Sequence, residues 1–578
     1  MGKMIKQVLV IFKTHLDIGF TDLAENILNK YLNEYIPNAI RVGNELKGTK
    51  NPFIWTVGSW LVWQALMHDK DGQVEKAIRD GILRWHALPF TTHTELMDPT
   101  LFEYGISLSK QLDERFGCHT VGAKMSDVPG HTIGIVPILK RNGVCFLHLG
   151  VNPATPLPPV PPIFRWRLGE DEIIVMYQGD YGEEIVLGDT AVVFAHTGDN
   201  LGPQNAEQVV EIYKEISDKY PNCEIKAATV DDLAACVLRL ENLPVVEDEI
   251  GDTWIHGIGT DPEKVSRFKK VQRHIAMLGG TALDLTDSLL CVPEHTWGKD
   301  LKNHFPHIGF YSHEDILRMS EERAPIEASW REQRAYVEKA EKLFDITPDY
   351  PVQQPILKEY TECEIPAAIN FEVSWQLFDN ADYERYKADY MRCFLPWAIW
   401  DFTKVGLNDY KGGIYTAKIK QAYQKADEML YRLEFSHKIT KKYGLPYFYL
   451  RIRKGRLELT WFEKQPSRFP QAFWLKMKGY DENFEIRKMG QWIQPDRIVG
   501  SPLISATDFG VRNAEYTIES LDCALVAPYG RRLLQYGVKN PKRNLYFNLY
   551  NNIWNTNFPM WYRDDALFRF LITENNKP

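Results

Sequence analysis

The sequence predicts a multidomain α/β plus β protein. It reads as a parallel (β/α) barrel-like domain over residues 1–280, a small helical bundle over 281–350, and a β-sandwich with one helical insertion over 351–578. Three observations predict this. Short, near-continuous apolar runs alternate with amphipathic segments up to about residue 280, as parallel strands joined by helices require. A charged, helix-forming stretch follows and ends at the Pro-containing segment 347–355. Beyond residue 356 the segments turn aromatic and alternating.

The elements follow in chain order. Gln7–Phe12 is an apolar run that reads as a strand buried on both faces, and residues 22–46 are helical in pattern. Phe53–Val57 predicts a second strand, with a helix after it containing Trp60. Residues 101–117 form an amphipathic helix closed by Gly117. A short strand leads into Ser126-Asp127-Val128-Pro129-Gly130-His131. Residues 143–150, 172–178 and 190–199 are further strands, 206–220 a helix and 224–229 the strand after it. Residues 314–324 and 330–344 supply the helical bundle. Residues 370–378, 447–462 and 472–479 alternate as sandwich strands, and 415–435 is the helical insertion.

Composition narrows the function. Hydrophobic residues at 44% and charged residues at 25% are ordinary for a globular protein with a large core. A net charge of -9 argues against nucleic acid as a partner. The eight cysteines form no CxxC pair, so they read as free thiols in a reducing compartment. The N-terminal apolar run is short, no cleavage site follows it, and no segment has the length of a membrane span. These features predict a cytoplasmic protein with no membrane partner; a homo-oligomer is compatible with them.

Three motifs carry chemistry. In Thr14-His15-Leu16-Asp17, at the end of the first strand, His and Asp two apart on extended chain point the same way. Asp127 ends another strand, and His256, in Asp252-Thr253-Trp254-Ile255-His256-Gly257, stands at a crossing into a helix that begins near Pro262. Imidazole nitrogen and carboxylate oxygen are both zinc donors, so His15, Asp17, Asp127 and His256 make a four-ligand set at strand ends, where α/β folds place their sites. Such a set leaves room for substrate if the metal expands its shell or if Asp127 doubles as a nucleophile.

These motifs, in this order over residues 6–275, resemble glycoside hydrolase family 38, the retaining, zinc-dependent α-mannosidases. THLDIGFTD is similar to the opening zinc strand, MSDVPGHTIGIVPILKRNGV to the nucleophile segment, HTGDNLGPQ to the Gly-Asp loop and GDTWIHGIGTDPEK to the segment carrying the last zinc histidine. The resemblance implies a carbohydrate substrate and zinc on His15, Asp17, Asp127 and His256. It implies Asp127 as nucleophile and Asp199 as general acid, with His196 as an alternative. Phe20 replaces a common Trp, Pro129 a common Phe and Gly257 a common Arg or Asp, and the β-rich end is short, so the chain resembles a divergent branch.

Phe20, Trp55, His131, His196, Trp254 and His295 are candidates for lining the sugar site, with Trp60 and Trp297 as further stacking candidates. His295 belongs to a polar cluster, Glu294-His295-Thr296-Trp297-Gly298, that follows the apolar Leu289–Val292. The same donor set also suits a zinc-dependent carbohydrate deacetylase or a lyase acting on acidic sugars. Loss of catalysis would leave a carbohydrate-binding protein.

Overall fold

Alternate residues of the first strand, β1 (Gln7–His15), face two different environments. Leu9 and Ile11 pack with Phe146, Met176, Val192 and Phe194 in one apolar cluster. On the opposite face, the Phe12 ring lies against Phe53 and Tyr213. A strand covered on both sides has no polar face, and its sequence is therefore apolar throughout. In this computed structural model, residues 4–279, 287–480, 483–500, 504–537 and 543–575 are described. The chain divides into two compact units.

The first unit comprises residues up to His93, Leu101–Glu249 and Glu294–Thr296. Its other strands are β2 (Trp55–Gly58), β3 (Leu83–His86), β4 (Gly122–Asp127), β5 (Phe146–Val151), β6 (Ile163–Leu168), β7 (Asp171–Gln178), β8 (Ile185–Leu187), β9 (Thr190–Asp199), β10 (Glu224–Ala227) and β11 (Val245–Val246). One sheet runs β3-β2-β1-β9-β8, with β10 also on β1, and is parallel except for β8. The other runs β11-β6-β7-β5-β4 and is parallel except between β6 and β7. Ala87 N donates to Gly122 O at 2.9 Å, joining the end of β3 to the start of β4. The strands expected from the apolar runs all form.

Helices join them: α1 (Ala24–Lys30), α2 (Ile36–Leu46), α3 (Ser59–His68), α4 (Gln73–Arg79), α5 (Pro99–Phe116), α6 (Ile135–Arg141), α7 (Ala206–Lys219) and α8 (Val230–Val237). A π-helical turn at Tyr31–Tyr35 links α1 to α2. Gly117 follows α5 in the left-handed conformation expected of a helix-ending glycine. Reciprocal caps fix the starts of α7 (Asn205 with Gln208) and α8 (Thr229 with Asp232).

The second unit comprises Thr94–Thr100, Ile250–Pro293 and the chain from Trp297 onward. A 3-10 segment (Thr253–Thr260) leads into a helix at Pro262–Met277, and a 24-residue helix spans Ser320–Leu343. The expected boundary at 280–281 lies outside the described residues. Antiparallel sheets of ten and six strands follow. Trp375, Phe473 and Phe547 of one sheet and Phe448, Leu459, Trp461 and Phe568 of the other share one core, as a sandwich requires. All eight cysteines are free. Among the described residues no helix is long and apolar enough to cross a membrane.

One expected element is corrected. Residues 415–435 are not a helix but a β-hairpin, Lys418–Lys425 paired with Glu428–Glu434. Ala426, at φ 52°, and Asp427 form its two-residue turn. Lys, Gln, Ala and Glu favour helix by propensity, but Ala422, Leu430 and Leu433 are buried in the sandwich, and that burial outweighs propensity.

Gly58 joins β2 to α3, and a Cβ built there would lie 2.0 Å from the Pro89 carbonyl oxygen. Gly58→Ala is therefore expected to destabilise the protein by about 1–3 kcal/mol. Its thermal unfolding midpoint should fall by several degrees; an unchanged midpoint would mean the loop carrying Pro89 gives way freely.

Candidate metal centre

The site is built where β1 and β9 end. Their parallel register runs Lys13 to His196 and then His15 to Asp199, so β9 spends one residue more than β1 over this step. Gly198, at φ 118°, lies in this irregularity. A bulge of this kind re-aims side chains near a site. Here it sets His15 opposite Asp199. Beyond His15 the chain turns sharply. Asn200 holds the turn by accepting from Asp17 N at 3.1 Å and donating to the carbonyl oxygens of Asp17 and Gly19 at 3.1 and 3.2 Å. Tyr31 Oη donates to Asn200 Oδ1 at 3.2 Å.

His295 enters the first unit on a short segment tied down by a bridge between Thr92 and Glu294. Its Nε2 lies 3.0 Å from His15 Nε2 and 2.9 Å from Asp17 Oδ1, and His15 Nε2 lies 3.2 Å from the same oxygen. The other nitrogen of each ring faces a polar neighbour. His15 Nδ1 pairs with Ser126 Oγ at 2.9 Å, and His295 Nδ1 stands 2.6 Å from Glu294 Oε1. Partners on the far nitrogen orient a ligating imidazole and turn its lone pair inward. Two such nitrogens and a carboxylate oxygen, all buried, thus converge on one point and fit a divalent cation.

Electrostatics support the same point. Burial opposes charge on Asp17, yet His15 and His295 hold its carboxyl well below the usual range. Burial likewise opposes charge on His295, but Glu294 and Asp17 raise its imidazole well above the ordinary value. The group is thus arranged to attract positive charge.

Two further carboxylates flank it in different environments. Asp127 ends β4 with φ 79°, a strained conformation for an aspartate. Its Oδ1 accepts from Tyr181 Oη at 2.6 Å and Asn152 Nδ2 at 2.8 Å, while its Oδ2 lies 3.8 Å from His295 Nε2. The Tyr181 ring stacks on His15 at 5.0 Å. Asp199 has a buried Oδ1 with no hydrogen-bond partner. Burial first, then the Asp17 charge, raises its carboxyl to about 6.

The remaining expected site residues are placed as follows. His256 lies in the second unit, outside the His15–Asp17–His295 group. Both its ring nitrogens are buried without a hydrogen-bond partner, and burial lowers its pKa to about 3. The Phe558 ring fills the space beside Gly257, which explains glycine where a larger residue is common. His131 is fully buried and bonds Val128 O at 3.2 Å, so it orders the loop after Asp127. Trp55 is fully buried, stacked on Tyr31, and offers no face to a sugar; Trp60 and Trp297 are buried as well. Trp254 is half-buried in the second unit against Phe402. His196 is half-buried beside Tyr181, its pKa lowered to about 2 by burial and by Lys13. Phe20 is half-buried at φ 61°, directly after the Asp17 turn. Tyr181, Asn152 and Asn200 were not legible as site residues; nothing in their local sequence separates them from other Tyr and Asn.

A family model described as a domain of unknown function (DUF5054) matches residues 258–356. Comparison with curated proteins returns no match. An α-mannosidase from Enterococcus faecalis aligns over 99% of this chain and 87% of its own, with a TM-score of 0.61 and 10% identity. A glycosyl hydrolase family 38 protein from the same organism aligns over 100% of this chain and 86% of its own, with a TM-score of 0.55 and 9% identity. The resemblance read from the motifs therefore holds for the fold of the whole chain.

Elemental analysis tests the ligand group. His295→Ala is expected to lose bound divalent metal, whereas His256→Ala retains it; the reverse pattern would return the fourth position to His256. Asn200→Ala, which frees the Asp17 turn, should weaken metal affinity by about 10-fold or more, read by chelator competition.

Proposed function

We propose that this chain, which carries the glycoside hydrolase family 38 fold, is a zinc-dependent glycosidase of the α-mannosidase type that cleaves an O-glycosidic bond with retention. The observation that carries the proposal is the division of labour at Asp127. One of its oxygens is held by Tyr181 and Asn152, and the other faces the His15–Asp17–His295 group. In this reading His15, Asp17, Asp127 and His295 hold the metal, with His295 in the place expected of His256. The two sheets of the first unit are taken as walls of one barrel-like layer, supported by the Ala87–Gly122 bond. The eight free thiols support a reducing compartment such as the cytoplasm.

The bound metal would bind neighbouring sugar hydroxyls and favour ring distortion. Asp127 attacks the anomeric carbon as the bond to the leaving oxygen breaks, and a covalent glycosyl-enzyme forms. Tyr181 and Asn152 fix the carboxylate in position for this attack. Asp199 gives its proton to the leaving oxygen. Its unpaired oxygen and its pKa near 6 suit a group that must be protonated at the start. It then takes a proton from the water that releases the sugar. His196, held without charge by burial and Lys13, fits the acid role less well.

Activated aryl glycosides test the assignment. Asp127→Asn should lower kcat by about 10³-fold or more, and activity near that of the parent would exclude it as nucleophile.

The pH profile tests Asp199. Its folded-state pKa is raised, so the protonated form dominates below about 6 and is lost above it. Activity should fall on the alkaline side, and Asp199→Asn should remove that limb together with about 10²–10⁴-fold of the rate. An unchanged profile would reassign the acid.

A further inference from the structure

Beneath the metal centre lies a second cluster that this chemistry does not use. A cavity of about 40 Å³ is lined by Lys13, Thr56, His86 and Lys124, with His15 and Ser126 also on its wall. Lys13 and Lys124 are only 2% and 5% exposed. Lys13 Nζ donates to His196 Nδ1 at 3.0 Å. Lys124 Nζ donates to His148 Nδ1 at 2.8 Å and to Tyr181 O at 2.9 Å. As ammonium groups, with three N–H donors each, Lys13 would have two to spare and Lys124 one. Among the described residues neither lysine has a carboxylate within ion-pairing distance. Burial lowers the pKa of both, Lys13 to about 7 and Lys124 well below the ordinary lysine value, while Asp199 and Asp180 act on Lys13, and Asp180 on Lys124, only through space. Thr56 Oγ1 and His86 Nδ1, on the wall of the same cavity, are buried and have no hydrogen-bond partner among the described residues.

Buried amino groups and unsatisfied polar atoms around one small cavity are costly unless a polar partner sits among them. A water needs roughly 10–15 Å³ of such space. The cavity therefore suits a group of about three heavy atoms and is too small for a sugar ring. Two lysine amino groups and a hydroxyl on the cavity wall offer N–H and O–H donors to an anion of that size, which would in turn favour the charged form of both lysines, and the three heavy atoms of a carboxylate match it. His15 and Ser126 line the cavity and also belong to the metal centre. The cavity therefore adjoins that centre.

We propose that this cavity receives the carboxylate of an acidic sugar, so that the glycoside processed at the adjoining centre is a hexuronoside. The substrate class rests on the glycosidase reading above; the carboxylate pocket does not.

Calorimetric titration of the full-length protein tests the pocket. The probes are methyl α-D-mannopyranosiduronate, its neutral parent methyl α-D-mannopyranoside, the corresponding pair of gluco configuration, and sodium acetate. In at least one configuration the uronoside should bind about 10- to 100-fold more tightly than its neutral parent. Lys124→Met should bring that ratio close to one. Thr56→Val, which preserves volume and removes only the hydroxyl, should lower it about threefold and covers the case in which the lysine variant does not fold. Equal affinity within both pairs, absence of uronoside binding, or an unchanged ratio in the folded variants would overturn the pocket. Acetate binding as tightly as the uronoside would overturn the sugar assignment in favour of a free anion. Turnover of neutral aryl glycosides without any uronoside preference would reject this inference and leave the glycosidase reading standing. Uronoside preference without turnover of any aryl glycoside would do the reverse.

Discussion

Two imidazole nitrogens 3.0 Å apart, with one carboxylate oxygen about as close to both, set the terms for everything around them. Three lone-pair donors in a buried space repel one another unless positive charge lies between them. A proton supplies that charge at one edge of the triangle, and Glu294 together with Asp17 raises the His295 imidazole well above its ordinary value against the effect of burial. A divalent cation supplies it to all three at once. Proton and metal therefore compete for the same lone pairs. Ser126 holds the far nitrogen of His15 by a hydrogen bond, and the Glu294 carboxylate lies 2.6 Å from that of His295, while both rings present Nε2 to the group.

Asp127 and Asp199 show how environment separates two groups of one kind. Asp127 receives two hydrogen bonds from neutral donors and faces a histidine. Asp199 has a buried oxygen without a donor and feels the charge of Asp17. Hydrogen bonds favour the ionised form, and burial without donors favours the protonated one. Burial and the Asp17 charge raise the Asp199 carboxyl to about 6, a consequence of its surroundings and not of its side chain.

The sequence carried the strands better than the site. β1, β5 and β9 were legible because burial on both faces leaves an unbroken apolar signal. Residues 415–435 misled because their helix-forming side chains hid an alternation that only the sandwich core makes decisive. His15, Asp17 and Asp127 were legible from their places at strand ends. His256 and His295 could not be ranked in that way. His256 follows a strand-to-helix crossing of the expected kind, whereas His295 sits on a three-residue excursion back into the first unit. Such a return is a tertiary event, and no local pattern announces it. Glu294, directly before His295, was the one clue available, since a carboxylate beside a histidine suits an anchored ligand.

β1 also shows how a single strand passes from stability to chemistry. Along one of its faces the side chains run Leu9, Ile11, Lys13, His15, each two residues and about 6.6 Å further on. The first two join the apolar cluster, the third is a buried lysine, and the fourth reaches the candidate metal centre. Polarity rises along the strand because packing at the lower end leaves no room for it, whereas the bulge opposite Thr14 opens the upper end. Lys13 stands at the crossover, and burial drops its pKa to about 7. A lysine in that position weakens the fold unless something compensates it. Leucine or methionine would fill the same space more cheaply. Its presence, paired across the cavity with Lys124, therefore argues that this layer of the first unit was shaped by what it binds and not by what stabilises it.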